Sequence, residues 1–204
     1  YLLHTYIYDY DLSQRLVNYR YDDFKLNYTY DDNNNLIKKI YNLGDITKTK
    51  EFVYNDEQAL KKSVIDDVTV NYNYDALGRL SSRNLNNTYE TKYEYVTNGN
   101  RTSLILDSIT NGDNKYSYKY DALYNITHVY YNDLLINRYY YDNYNQLIEE
   151  DDYRLNKTFK YIYDNEGNIL SKNTYEFRTS NLLDSKVYEY NNSNWEDQLT
   201  KYDG

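Results

Sequence analysis

The feature that most constrains this 204-residue chain is an internal repeat that runs along its whole length. Aligned on the pattern aromatic-x-Tyr, the sequence falls into nine units. Their second tyrosines are Tyr10, Tyr30, Tyr54, Tyr74, Tyr95, Tyr120, Tyr141, Tyr163 and Tyr190. Successive anchors lie 20, 24, 20, 21, 25, 21, 22 and 27 residues apart. A period of this size marks a chain that stacks one supersecondary unit on the next, because a single unit cannot bury its own apolar face.

Each position of the unit has a mechanical meaning. The residue two before the anchor is always aromatic: Tyr8, Tyr28, Phe52, Tyr72, Tyr93, Tyr118, Tyr139, Tyr161 and Tyr188. Residues i and i+2 of a strand share a face, so the two rings point the same way. The residue between them is mostly polar, which predicts a wet opposite face. An Asp or Asn follows the anchor in all units but the one with Val96, as expected where a turn begins. Gly78, Gly99, Gly167, Asn34, Asn145 and Asn194 then suit a tight turn with positive φ. Gln14, Gln58 and Tyr124 at the same place predict a different turn geometry or strain. An aliphatic residue six after the anchor starts a return strand in seven units, at Leu16, Leu36, Leu60, Leu80, Ile126, Leu147 and Ile169. Arg101 and Glu196 break that rule.

The expected fold is therefore all-β: tandem β-hairpin repeats in one long antiparallel sheet, curved by strand twist, with few or no helices. Asp56 to Lys62 is the nearest helix candidate, and it coincides with a turn. No Pro-rich or Gly/Ser-rich linker divides the chain, so residues 1–204 read as a single continuous array. Asn86–Thr91, Asn111–Lys115 and Asn132–Leu135 read as loops between strands.

Composition fits such a sheet. Leu, Ile, Val and Phe number only 46 and mean hydropathy is -1.00, values close to those of a disordered chain. The 32 tyrosines argue for folding instead, because cross-strand aromatic pairs contribute roughly 0.2–1 kcal/mol each. A net charge of -9 argues against nucleic acid as a partner. No apolar run approaches the ~20 residues of a helical membrane span, so no membrane insertion is expected. Without Cys there is no disulfide, thiolate metal site or thiol nucleophile. Tyr1 in place of an initiator Met suggests a piece of a longer chain. Abundant Asn with no Pro suits a low-GC bacterium.

No catalytic residue, cofactor site or metal site stands out, and the chain is not expected to be an enzyme. The histidines, His4 and His128, are far apart, and Glu149-Glu150-Asp151-Asp152 reads as a solvated strand end. Asp31 to Asn35 and Asp164 to Asn168 cluster oxygen ligands without the spacing of a calcium loop. Tyr124, Tyr131, Tyr140 and Tyr144 fall off the repeating aromatic positions and are the candidates for a ligand surface, surface glycans being the suitable class. Truncation of an array exposes sheet edges, so edge-to-edge self-association is expected.

The repeated Tyr-Asp pairs Tyr10-Asp11, Tyr30-Asp31, Tyr74-Asp75, Tyr120-Asp121, Tyr141-Asp142 and Tyr163-Asp164 resemble the signature of the RHS/YD-repeat family. Tyr74-Asp75-Ala76-Leu77-Gly78-Arg79-Leu80 is very close to that family's consensus, and Trp195 to Gly204 is similar to a stretch late in Gram-positive arrays. The resemblance covers nearly the whole chain. It implies a β-strip that spirals into a shell, of which this segment is a part, in a secreted or cell-surface protein of a Gram-positive bacterium. Relatives include wall-associated proteins, polymorphic toxins, insecticidal toxin complexes and teneurins. The implied partners are the flanking repeats and an enclosed C-terminal toxin or other effector. The self-cleaving core region of many bacterial members has no match here.

Overall fold

The structure, a computed structural model, describes residues 5–98 and 101–203. His4 and the turn expected at Gly99 lie outside the described residues. Among the described residues there are eighteen strands and no helix, and the strands belong to one antiparallel sheet. The chain groups into two compact units, Tyr1–Tyr93 and Glu94–Gly204.

The first unit holds β1 (Tyr6–Tyr10), β2 (Leu16–Tyr21), β3 (Phe24–Tyr30), β4 (Leu36–Leu43), β5 (Ile46–Tyr54), β6 (Leu60–Ile65), β7 (Val68–Tyr74), β8 (Leu80–Leu85) and the start of β9 (Tyr89–Asn98). The second holds the rest of β9, then β10 (Arg101–Asn111), β11 (Asn114–Tyr120), β12 (Ile126–Tyr131), β13 (Leu134–Tyr141), β14 (Leu147–Asp152), β15 (Lys157–Tyr163), β16 (Ile169–Glu176), β17 (Leu182–Glu189) and β18 (Lys201–Asp203). Within each unit a strand pairs with its neighbours in sequence. The helix candidate at Asp56 to Lys62 forms a turn and the start of β6.

All seven aliphatic residues at the sixth position begin their return strands. At each of these hairpins the register slips by one residue at the anchor: Tyr30 faces Leu36 while Thr29 faces Lys38, leaving Ile37 as a bulge. The same bulge falls on Val17, Lys61, Ser81, Thr127, Ile148 and Leu170. Recurrent bulges add twist at a fixed place in every repeat.

The two units that break the aliphatic rule do so through longer connections. Leu106 comes 11 residues after Tyr95, and Leu199 comes 9 after Tyr190, where the other units have 6. From Leu106 the six residues to Asn111 match the six-residue return strand Leu16–Tyr21.

The other end of each repeat is a second kind of turn. Tyr21 faces Phe24 across Asp22-Asp23, and equally short turns are Gly44-Asp45, Asp66-Asp67, Gly112-Asp113 and Asn132-Asp133. The first residue of each has φ between 47° and 56°, as two-residue hairpins require. The loops expected over Asn111–Lys115 and Asn132–Leu135 therefore shrink to two residues. The one expected over Asn86–Thr91 shrinks to three, Asn86 to Thr88.

Burial is unlike that of a layered domain. Ile136 is the one buried apolar side chain among the described residues, at 6% exposure. The other buried residues are polar: Ser63, Ser82 and Thr91 in the first unit, and Ser108, Asn137, Asp151, Asp152 and Thr158 in the second. From Tyr28 to Tyr190 the paired aromatics are half-buried, while Tyr8 and Tyr10 on β1 are exposed. The residue between each pair is exposed in seven of nine units, as the alternation predicts.

What replaces a core is visible in the anchors' hydroxyls. Pairing of β2 with β3 stops at Asn18 and Asn27, two residues short of Leu16. The Leu16 carbonyl is left without a ladder partner, and the Tyr30 hydroxyl donates to it at 2.9 Å. The same bond runs from Tyr54 to Leu36 (3.0 Å), Tyr74 to Leu60 (2.9 Å), Tyr120 to Leu106 (2.5 Å), Tyr141 to Ile126 (2.9 Å) and Tyr163 to Leu147 (2.8 Å). Each of these six anchors thus ties its own repeat to the one before it.

Tyr141→Phe deletes one such bond and leaves the ring in place. It should cost about 1 kcal/mol, because the half-buried Ile126 carbonyl is left unsatisfied. Chemical denaturation of the variant checks this, with a slope unchanged from wild type.

Candidate functional site

The Tyr-Asp turn is the most elaborated feature of the surface. In the clearest case the Asp75 carboxylate turns back on its own loop. Its Oδ1 accepts from the Leu77 amide at 2.9 Å and the Arg79 amide at 3.0 Å, and its Oδ2 accepts from Arg79 Nε at 2.7 Å. The backbone closes beneath it, Gly78 N–H to the Asp75 carbonyl and Asp75 N–H to the Arg79 carbonyl. Asp11, Asp31, Asp121 and Asp164 repeat all three carboxylate contacts, with Arg15, Asn35, Asn125 and Asn168 in the place of Arg79. Asp142 keeps the two amide contacts, and Asn55 keeps one. Short acidic side chains are suited to this because they reach backbone amides two and four residues on.

The carboxylates of the oxygen-rich stretches at Asp31 and Asp164 are therefore engaged by their own loops. These bonds favour the charged form, so Asp11, Asp31, Asp75, Asp121 and Asp164 are all held below the ordinary aspartate range. Side-chain donation leads for Asp31, Asp75 and Asp121. Backbone donation from Arg15 leads for Asp11, and for Asp164 the hydrogen bonds outweigh an opposing desolvation.

Gln14, Gln58 and Tyr124 adopt the same left-handed backbone as Gly78, at φ 63°, 64° and 66° against 75°. The geometry does not change with the residue, so the substitution is absorbed as strain of roughly 1–2 kcal/mol. A second function explains part of the choice. Arg15 donates to Asn34 Oδ1 at 2.7 Å, Asn35 donates to Gln58, and Asn125 donates to Asn145 at 3.1 Å. The side chain that clamps one turn thus reaches the positive-φ residue of the next. Ala59 has no donor to offer, and the next such position is Gly78, which has no acceptor. Gln146 precedes Gly167, where a Cβ would stand 3.3 Å from the Gln146 amide nitrogen.

A different cluster lies where β14–β15 and β16–β17 turn. Asp151 is 1% exposed and accepts from the Thr158 hydroxyl at 2.7 Å and Arg178 Nε at 2.9 Å. Arg178 also donates to the Tyr153 hydroxyl at 2.6 Å and lies over the Tyr153 and Phe177 rings. The bond to Asp151 pushes the Arg178 guanidinium pKa further up. This corrects the reading of Glu149 to Asp152 as solvated: Asp151 and Asp152 are buried because the following turns fold over them. On the aromatic face Glu150 accepts from Asn137 at 2.8 Å and Tyr161 at 3.4 Å. Burial beside Glu150 pushes Tyr139 up to about 12 and Tyr161 higher still.

The four candidate tyrosines are not gathered in one place. Tyr124 and Tyr144 stand on successive turns linked by Asn125 and Asn145, exposed at 64% and 85%. Tyr144 borders a shallow hollow with Gln146, Tyr163 and Glu166. Tyr140 faces away from Tyr139 and Tyr141 and is half-covered by the Arg138 guanidinium, 4.8 Å from its ring centre. Tyr131 is at the far end of β12, paired with Tyr116 and hydrogen-bonded to Asn114. That register puts Tyr131 on the face of Tyr118, within the repeating aromatic surface. Among the described residues no group of three or more His, Asp or Glu is placed to hold a metal ion.

The fold and its turns define a class, the tandem β-hairpin repeat sheet closed by Asp-capped turns. No protein-family model matches the chain, and no curated protein does. Solved structures with a similar fold are chains of Tc toxin components. In the TcdB2-TccC3-TEV crystal structure the match has a TM-score of 0.65 at 11% identity, covering 91% of this chain and 11% of that one. In the TcdB2-TccC3 crystal structure the values are 0.56, 12%, 91% and 12%. In a mutated Tc holotoxin pore from Photorhabdus luminescens they are 0.55, 12%, 91% and 12%. The chain thus spans about a tenth of the length of these neighbours.

Acid should loosen the turns together. Each lowered aspartate binds fewer protons folded than unfolded near its titration range. Its contribution is complete above the unfolded value of about 3.9 and is lost as pH falls through the folded value. Stability measured against pH should therefore drop below about pH 4, and Asp75→Ala should flatten that drop. Asp75→Asn, which keeps an Oδ1 acceptor, should be less destabilising at pH 7 than Asp75→Ala.

Proposed function

We propose that this chain is a structural segment of a secreted or cell-surface RHS/YD-repeat protein, forming part of a β-shell that encloses or displays a toxin or other effector. The observation that carries this reading is the tyrosine-to-carbonyl bond that ties six of the repeats to their predecessors. Such a bond serves extension of a sheet by further units and has no use in a site for small molecules. The sequence resemblance to a family that includes insecticidal toxin complexes supports it. So does the fold shared with Tc toxin chains. Assignment to a low-GC Gram-positive bacterium rests on the Asn-rich, Pro-free composition and on the late stretch from Trp195.

A second reading is a glycan-binding surface, favoured by the exposure of Tyr124 and Tyr144 on adjoining turns. Aromatic rings held open beside Asn and Asp side chains suit sugar rings and their hydroxyls.

Limited proteolysis of the full-length natural polypeptide tests the shell. An effector enclosed by the sheet should resist cleavage while the array is folded. It should become sensitive when Tyr54, Tyr74, Tyr141 and Tyr163 are changed together to Phe. Equal cleavage in both proteins contradicts enclosure. Saturable binding to a cell-wall glycan panel, abolished by Tyr144→Ala with the fold intact, would establish the second reading instead.

A further inference from the structure

In the first unit the aromatic-bearing face of the sheet carries charge of one sign. Strand register places Lys39, Lys48, Lys50 and Arg83 at its paired positions, and among the described residues no Asp or Glu shares them. The same face of the second unit mixes signs, with Glu150, Asp152, Glu176 and Asp184 beside Lys157, Lys172 and Lys186. Lys48 is answered by Asp66, 2.6 Å away in the turn between β6 and β7. Lys39 and Lys50 are not answered. They stand directly opposite each other on β4 and β5, a like-charge pairing that costs stability. Among the described residues neither has an ion pair or a hydrogen bond. Lys39 lies 5.1 Å from the centres of the Tyr28 and Tyr41 rings, and Lys50 lies 5.3 Å from that of Phe52, so both stay half-buried on the face.

Arg83 is a third cation on this face without a carboxylate partner among the described residues. Its Nε donates to the Thr91 hydroxyl at 3.5 Å. It borders a hollow of about 260 Å³ walled by Val70, Tyr72, Leu85, Tyr89 and Thr91. Three strand steps and two same-face positions separate Lys50 from Arg83, roughly 20 Å, which about six extended residues span.

We propose that this face binds an acidic peptide segment that also carries apolar side chains. Carboxylates of the segment meet Lys39 and Lys50 at one end and Arg83 at the other, and an apolar side chain fills the hollow. Charge complementarity selects the acid. The hollow's apolar walls select a peptide over an acidic polysaccharide, which has no apolar side chain to offer. A carboxylate between Lys39 and Lys50 also relieves the repulsion that the free chain carries there. The surface needs only the first unit and is independent of whether the sheet encloses an effector.

Fluorescence anisotropy of a labelled, end-blocked peptide, Glu-Glu-Leu-Phe-Leu-Leu-Glu-Glu, titrated with the chain reads this directly. Saturable binding is expected, weakening as salt rises and absent when Lys replaces every Glu of the peptide. Lys39→Gln, Lys50→Gln and Arg83→Gln should each weaken binding by about 1.4- to 5-fold, the equivalent of one exposed ion pair. Lys50→Glu should weaken it further while the denaturation midpoint holds or rises, because a pair of opposite sign replaces a repelling one. That split between binding and stability is not expected of lysines that only pack on rings. Absence of saturable binding overturns the proposal. So does binding unchanged in the triple Gln variant, with circular dichroism confirming its fold. Polygalacturonate that displaces the labelled peptide as effectively as unlabelled peptide would give the face to acidic glycans and overturn it as well.

Discussion

At six junctions one repeat leaves a backbone carbonyl that it cannot satisfy, and the next repeat brings the hydroxyl that satisfies it. The bulge at the anchor ends the strand pairing early, and the tyrosine fills the gap from the neighbouring hairpin. Phe would pack as well in a half-wet face but would leave the carbonyl orphaned, which is a physical reason for Tyr at the second anchor position of those six junctions, while the first position admits Phe52. The repeat is thus defined by a hydrogen bond between units as much as by any contact inside one.

A sheet held this way needs little apolar bulk. With Ile136 the lone buried aliphatic among the described residues, cohesion comes from ladders, stacked rings and lysines laid over them, such as Lys39 over Tyr28 and Tyr41 and Lys172 over Phe159 and Tyr161. Such contacts are individually weak and regularly spaced. The carboxylates add a second tier by capping turns, and the clamp side chains link one turn to the next. The ion pair of buried Asp151 with the partly exposed Arg178 is the clearest exception to the pattern, and it sits where the sequence departs from two-residue hairpins.

Much of this was legible in the sequence because the strand period and the turn residues recur in phase. Tyr8 with Tyr10, the aspartate that follows, and Leu16 as the start of the return strand needed only alternation and turn chemistry. The turns at Asp22-Asp23 and Asp66-Asp67 were missed because two acidic residues carry a weaker hairpin signal than Asn-Gly. At Gln14, Gln58 and Tyr124 propensity alone leaves a different turn geometry or strain open, and the structure shows the strained left-handed turn. The matched choices of Asn34 after Arg15, and of Gly78 after Ala59, held that signal. Asp151 read as solvated because nothing local indicates that Arg178, 27 residues away, will cover it. Tyr131 lies outside the aromatic-x-Tyr positions in the sequence yet on their face in the sheet, because the bulge at Thr127 shifts the alternation by one.

Native-state amide hydrogen exchange tests most directly the claim that stability is spread along the repeats. The account predicts comparable protection for interior strands such as β3, β5, β7, β13 and β15, falling only in β1 and β18. Protection concentrated around Ile136, with the other repeats exchanging as if unfolded, would show that a local core holds the chain and would contradict it.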